Sequence, residues 1–71
     1  MNKIINWLDC KEINFSQDRL HNDPTKKILF LEPGIKIWPV YKYLEQYHPD
    51  IKTRYDGPAD RLIIYEKEEG N

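Results

Sequence analysis

Few side chains in this 71-residue sequence are of the types that bind metals or attack substrates: one cysteine, Cys10, and two histidines, His21 and His48. A structural zinc site generally takes four such ligands, with pairs close in sequence, whereas these three are scattered. A Cys10 nucleophile with either histidine as its base is chemically conceivable, but a half-buried, unreactive thiol explains the residue more simply. The sequence therefore predicts no metal site and no cofactor.

Two further patterns would suit ions, and each has a simpler explanation. Asp56 and Asp60 bracket a glycine and a proline. Aspartate favours the start of a turn and glycine supplies positive φ, whereas a calcium loop needs a run of alternating oxygen ligands closed by a glutamate. Gly34 precedes a predicted helix whose first amides would attract an anion, yet Pro39 removes one of those donors. Neither pattern predicts a ligand.

The charges exclude recognition by bulk electrostatics. Eleven Lys and Arg residues face twelve Asp and Glu residues, a net charge of -1, and the two signs are interspersed. A protein that binds nucleic acid mainly by counterion release usually has a basic excess, and a DNA mimic needs a strong acidic one. We therefore expect a partner to be recognised by the shape of a surface.

The cellular location is inferred from the cysteine and from the apolar runs. A single cysteine cannot form an internal disulfide, which favours a cytoplasmic protein. The longest apolar run is the four residues 28–31, and no early stretch has the order of a signal peptide. We expect no membrane span. A chain of this length predicts one domain over residues 1–71, with 67–71 as a frayed tail.

Three segments have the patterns of strands. The apolar run 28–31 with its charged flanks is typical of a central strand buried on both faces, which we predict over 27–32. Residues 51–55 alternate, and 61–66 follow after a five-residue turn, which predicts a hairpin. In the second strand of that hairpin apolar residues again occupy both sides, so we expect it to be covered on both sides too.

Pro39 divides the segment 34–48 into two parts. Proline is tolerated in the first turn of a helix and pushes the preceding residue, Trp38, into extended geometry. An amphipathic helix is therefore predicted over 39–48, with residues 34–38 extended. Two connections are open: a tight turn at 33–34 that pairs 35–38 with the preceding strand, or a right-handed βαβ crossover from 27–32 through the helix to 51–55. We prefer the crossover, because an L-proline turn of this type splays hairpin strands.

The first 25 residues have weaker patterns. Ile4, Ile5 and Leu8 have helical spacing, which favours a short helix over 2–9 although a strand would fit as well. Residues 12–16 are predicted as a strand and 17–25 as a polar loop or single helical turn. The expected fold is thus α+β: a small single domain with a three- to four-stranded, mostly antiparallel sheet and one helix packed on it.

Aromatic residues make up 13% of the chain and are its main functional signal. Tyr41, Leu44 and Tyr47 have the spacing of a buried helical stripe, and we predict them in the core. Trp38 would fall on the opposite side if that helix extended back to it, and lysines lie nearby, as expected of an interface anchor. A core position and an interface position both remain open for this residue. The predicted partner-binding residues are Trp38, Lys36, Lys42, Tyr43, Trp7 and Arg54.

Two functions fit these features. The first is a non-enzymatic protein-binding module that covers a partner's surface, as an inhibitor, adaptor or accessory subunit; short proteins of this kind are common among phage or mobile-element modulators of host proteins. The second is single-stranded nucleic-acid binding, with bases stacked on aromatics beside Lys36, Lys42, Lys52 and Arg54. An enzyme is not expected, because no pair of titratable groups is placed for acid and base roles.

Overall fold

Two helices and four strands form the domain in the computed structural model, which describes residues 1–67. In chain order they are α1 (Asn2–Cys10), β1 (Phe15–Arg19), β2 (Lys27–Leu31), α2 (Trp38–Tyr47), β3 (Lys52–Asp56) and β4 (Arg61–Tyr65). The predicted α+β class, the two helices and the antiparallel sheet are confirmed. Of the predicted frayed tail, Lys67 is exposed and residues 68–71 lie outside the described residues.

The four strands form one sheet in the order β1-β2-β4-β3. Each neighbouring pair is antiparallel, including the predicted hairpin of β3 and β4. Since β2 and β3 both run opposite to β4, they are parallel to each other. The strands joined by α2 thus have the parallel direction expected of a βαβ crossover, and β4 lies between them.

All fully buried apolar side chains lie on one side of the sheet. Every second residue of β2 and β4 points to that side, and both helices place two side chains there. The buried residues are Ile4, Leu8, Leu29, Leu31, Val40, Leu44, Leu62 and Ile64. The domain is therefore a two-layer structure with helices on a single face of the sheet.

The opposite face of the sheet carries apolar side chains without a covering element. Ile28, Phe30, Ile63 and Tyr65 are half-buried and belong neither to the core cluster nor to the apolar residues packed against it. The expectation that the two central strands are covered on both faces was wrong. Two helices of 9 and 10 residues are enough to cover one face of a four-stranded sheet, and both pack on the same one.

The first strand begins three residues later than predicted because of how α1 ends. Glu12 takes a left-handed conformation with φ 58°, the Ile13 amide donates to the Leu8 carbonyl at 3.0 Å, and the Glu12 amide donates to Asp9 at 3.1 Å. This pattern is a Schellman motif, with Ile13 packed against the core. Residues 12–14 are therefore used in reversing the chain, and β1 extends to Arg19 instead, into the segment predicted as a loop.

Candidate interaction surface

Trp38 is the most exposed large apolar side chain in the described part of the molecule, with 67% of its surface accessible. It is the first residue of α2, after Ile37 as N-cap, and Pro39 lies in the first turn. The helix thus starts one residue earlier than predicted, and Trp38 is helical instead of extended. At about 100° per residue Trp38 lies about 160° from the buried Val40, which directs the indole away from the core.

Lys42, one turn further along α2, lies over the indole. Its Nζ is 5.2 Å from the centre of the Trp38 ring, within the range of a cation–π contact worth about 0.5–1 kcal/mol at an exposed site. Two of the predicted partner-binding residues therefore form one small amphipathic patch. Lys36, two residues before α2, is also exposed.

A groove of about 400 Å³ runs beside Trp38, between α2 and β3. Trp38, Tyr41 and Glu45 line its helix side, and Ile51 and Thr53 line its strand side. Tyr41 is half-buried and packs against the core, in agreement with its prediction as a core residue. The groove thus has an apolar floor, an exposed tryptophan at its rim and a carboxylate along its wall.

The outer edge of β3 forms the far limit of this groove. The Glu66 amide donates to the Lys27 carbonyl at 3.2 Å across the β2–β4 pair. Because backbone groups alternate in direction along a strand, Tyr65 and the other odd-numbered residues of β4 bond to β3. Their partners are the even-numbered residues of β3. The N–H and C=O groups of Thr53 and Tyr55 therefore point away from the sheet.

The edge formed by β1 differs from that of β3. The Arg19 amide donates to the carboxylate of Asp18 at 2.8 Å, and the Arg19 guanidinium donates to the Pro24 carbonyl at 3.1 Å. One outward amide of β1 is thus occupied locally, and a charged side chain folds across the end of the strand. Such features hinder pairing with another strand. The β3 edge is the more accessible of the two.

Tyr55 extends the groove toward the β3–β4 loop. Its register partner is the buried Leu62, so its side chain lies on the helix side of the sheet, where 46% of it is exposed. Its hydroxyl donates to the Asp60 carboxylate at 2.5 Å, and this hydrogen bond raises the pKa of Tyr55. The positive φ of this turn is at Asp60, with φ 50°, so the prediction that Gly57 supplies it was wrong.

A second aromatic cluster joins the two helices. Trp7 of α1 stacks on Tyr43 of α2 with ring centres 4.2 Å apart and planes 7° apart, and the Tyr43 hydroxyl lies 2.9 Å from Nε2 of His48. Burial raises the pKa of Tyr43. These two predicted partner-binding residues are half-buried and contact one another, which makes them a structural junction between the helices.

Tyr47 was wrongly predicted in the core, since 62% of it is exposed. It lies beyond Leu44, the last buried residue of α2, where Met1 and Glu66 form the wall of an open cleft. Cys10 is likewise exposed at the end of α1, not half-buried as expected. Helical spacing predicts the side of a helix from which a side chain projects. It does not predict how far along the helix that side is covered by the rest of the protein.

Arg54 is separated from the other predicted residues by the sheet. It pairs with Ile63, whose side chain lies on the uncovered face, so Arg54 projects from that face and not toward Trp38. The six predicted residues thus occupy three places: Trp38, Lys42 and Lys36 at the start of α2, Trp7 and Tyr43 at the helix junction, and Arg54 behind the sheet.

Comparisons with family models, curated proteins and solved structures gave no significant match. Among residues 1–67, no three His, Cys, Asp or Glu side chains come together as a metal site would require. In the same part of the chain, neither helix is long and apolar enough to span a bilayer. The surface around Trp38 is therefore the candidate functional site.

Proposed function

We propose that the protein is a non-enzymatic protein-binding module that acts stoichiometrically by covering part of a partner's surface, as an inhibitor, adaptor or accessory subunit. The observation that carries this proposal is Trp38, 67% exposed at the rim of a groove between a helix and an edge strand. Tryptophan is among the residues most enriched in interface hot spots. We further propose that the protein acts in the cytoplasm and that it originates from a phage or mobile element.

The groove and the β3 edge together suit an extended segment of the partner. Such a segment would add a fifth strand beside β3, with main-chain hydrogen bonds to Thr53 and Tyr55. Its alternate side chains would enter the groove next to Trp38. The side chains between them would lie on the opposite face, beside Lys52 and Arg54, so we expect carboxylates there.

Three titratable groups have clear pKa shifts, and each has a local cause. The Thr25 hydroxyl donates to Asp23 at 2.6 Å and lowers the pKa of that carboxyl. Burial raises the pKa of Tyr43, and the bond to Asp60 raises the pKa of Tyr55. The three groups belong to a loop, a helix and a strand, and their shifts follow from turn and packing contacts.

The test uses proline at the two edges of the sheet. Thr53→Pro removes an outward amide of β3 without removing a bond to β4, and Gln17→Pro does the same at β1. We expect the wild-type chain to co-purify with a stoichiometric partner, Thr53→Pro to lose it and Gln17→Pro to retain it, with both variants folded by circular dichroism.

Two results would contradict the proposal at different levels. A wild-type chain that stays alone in lysate at micromolar concentration would overturn the protein-binding function itself. A partner retained by Thr53→Pro, or lost equally by both folded variants, would overturn strand addition at β3 and leave protein binding to another surface.

Single-stranded nucleic-acid binding is the second candidate, and the uncovered face of the sheet favours it. Phe30 and Tyr65 lie there on the two central strands, next to Lys52 and Arg54, an arrangement on which bases could stack. However, the Arg61 guanidinium already lies 5.0 Å above the Phe30 ring. A salt titration of oligonucleotide binding with a slope near zero would exclude this function.

A further inference from the structure

The uncovered face of the sheet has an ordered chemical pattern, which the strand register fixes. One row across the sheet reads Asp18, Ile28, Tyr65, Lys52, from β1 to β3. The next row reads Ser16, Phe30, Ile63, Arg54. Apolar side chains thus occupy the centre, with a carboxylate on the β1 side and basic groups on the β3 side.

A third row follows by the same register. Extending the register by one step beyond Phe30 and Ile63 brings Glu32 beside Arg61, with Asn14 and Asp56 outside them. The Glu32 carboxylate also accepts a hydrogen bond from the side-chain amide of Asn14 at 3.2 Å. Arg61 is incompletely paired: its nearest carboxylate oxygen, on Asp56, is 3.8 Å from Nε, and this buried atom makes no hydrogen bond within the described residues. An additional carboxylate near the guanidinium would therefore be favourable.

We propose that this face binds a second copy of the chain, sheet against sheet, around a two-fold axis parallel to the strands. Rotation by 180° about this axis reverses the order of the strands across the sheet. Each row then faces the same row of the second copy. β1 of one copy then faces β3 of the other, and β2 faces β4. Two sheets packed in this way lie about 10 Å apart with their strands within about 30° of parallel.

The rows are complementary under this operation. Asp18 faces Lys52 of the second copy, and Glu32 faces Arg61, which places a further carboxylate beside the guanidinium although the buried Nε itself is not reached. In the centre Ile28 faces Tyr65 and Phe30 faces Ile63. Each contact occurs twice by symmetry. The outer residues of the third row, Asn14 and Asp56, bring an amide donor to a carboxylate.

A two-fold axis across the strands gives a poorer match. It would place β1 against β1 and β3 against β3 and would reverse the order of the rows, so that Arg54 would meet Arg54 of the second copy and the apolar Ile28 would meet Glu32. Like charges held opposite one another are destabilising, and the carboxylate of Asp18 would meet no cation. Charge complementarity therefore selects the axis parallel to the strands.

The size of the face sets the strength of the contact. Four strands spaced about 4.8 Å apart and five residues rising about 3.3 Å each give a face of roughly 19 by 17 Å. The total buried area is then near the low end for specific protein contacts, below about 1,200 Å². We expect a dimer with a dissociation constant of roughly tens to hundreds of micromolar. The Trp38 groove is on the other side of the sheet and stays accessible.

The test is a charge exchange measured by sedimentation equilibrium. We expect the wild-type chain to form dimers, Asp18→Lys and Lys52→Asp each to raise the dissociation constant at least tenfold, and the double variant to restore most of the loss. Lys42→Asp, on the opposite side of the molecule, is the control and should leave dimerisation unchanged.

The same series contains the results that would overturn the proposal. A wild-type chain that remains monomeric at 1 mM would do so, as would dimers that both single variants leave intact. A double variant no better than either single one would exclude this axis. Because all measurements use the isolated chain, they are independent of whether a partner binds at Trp38.

Discussion

Replacing Trp38 by alanine should weaken binding of the partner protein at least 30-fold and leave the free energy of unfolding within about 1 kcal/mol of wild type, which is the size of the lost contact with Lys42. The first expectation follows from the loss of about 2 kcal/mol or more when an aromatic hot spot is truncated. The second follows from its position, because the indole is 67% exposed and lies opposite the buried side of α2. Isothermal titration and urea unfolding measure the two quantities.

Tyr47→Ala is the matched control for this substitution. Tyr47 belongs to the same helix and is 62% exposed, but it lines a different cleft, together with Met1 and Glu66. We expect it to bind the partner as tightly as wild type does. If Trp38→Ala bound normally, or if both variants lost affinity equally, Trp38 would not be the anchor of the interface.

Leu62→Ala should cost about 2–5 kcal/mol in the free energy of unfolding, while Ile63→Ala should cost less than about 1.5 kcal/mol. The two residues are neighbours in β4, but Leu62 is fully buried under the helices and Ile63 lies half-buried on the uncovered face. Truncating a buried leucine removes its transfer free energy and leaves a cavity. Native domains have roughly 5–15 kcal/mol of stability, so Leu62→Ala should remove a large fraction of it.

Urea unfolding at low micromolar protein concentration separates these effects, since self-association adds little there. A sheet covered on both faces would make the two substitutions about equally costly. Similar losses for Leu62→Ala and Ile63→Ala would therefore contradict the one-sided core.

Local sequence signals were sufficient for most of the fold. The apolar run of β2, the alternation and turn residues of the β3–β4 hairpin, and Pro39 near the start of α2 each specify their element with little help from distant residues. The end of α1 was harder, because Glu12 adopts a left-handed conformation that usually favours glycine. No pattern in the sequence marks that turn, and β1 was misplaced as a result.

The one-sided sheet could not be predicted from the strands themselves. The run around Leu29 and Phe30 is apolar on both sides, and such a run is typical of a strand between two layers. Whether both faces are covered depends on how many helices there are and where they pack, and both helices pack on the side of Leu29. The tertiary arrangement thus leaves Phe30 and its neighbours on the uncovered face of the sheet.

The exposure of a single residue such as Trp38 could be predicted from the sequence, but the arrangement of the candidate residues in space could not. Helical spacing correctly separated Trp38 from the buried Val40 and Leu44. It could not show that Arg54 lies behind the sheet, since that depends on which side of β3 faces the helices. The groove beside Tyr41 was likewise missed, because it is formed by two elements whose contact no local pattern specifies.

The most direct test of partner binding at the Trp38 groove is amide hydrogen exchange of the chain, free and bound to its captured partner, followed residue by residue by NMR. We predict slower exchange in the complex at the outward amides of Thr53 and Tyr55 and along the first turn of α2, with Phe15 and Gln17 on the β1 edge unchanged. Slower exchange confined to the β1 edge, with Thr53 and Tyr55 unaffected, would contradict recognition through the Trp38 groove.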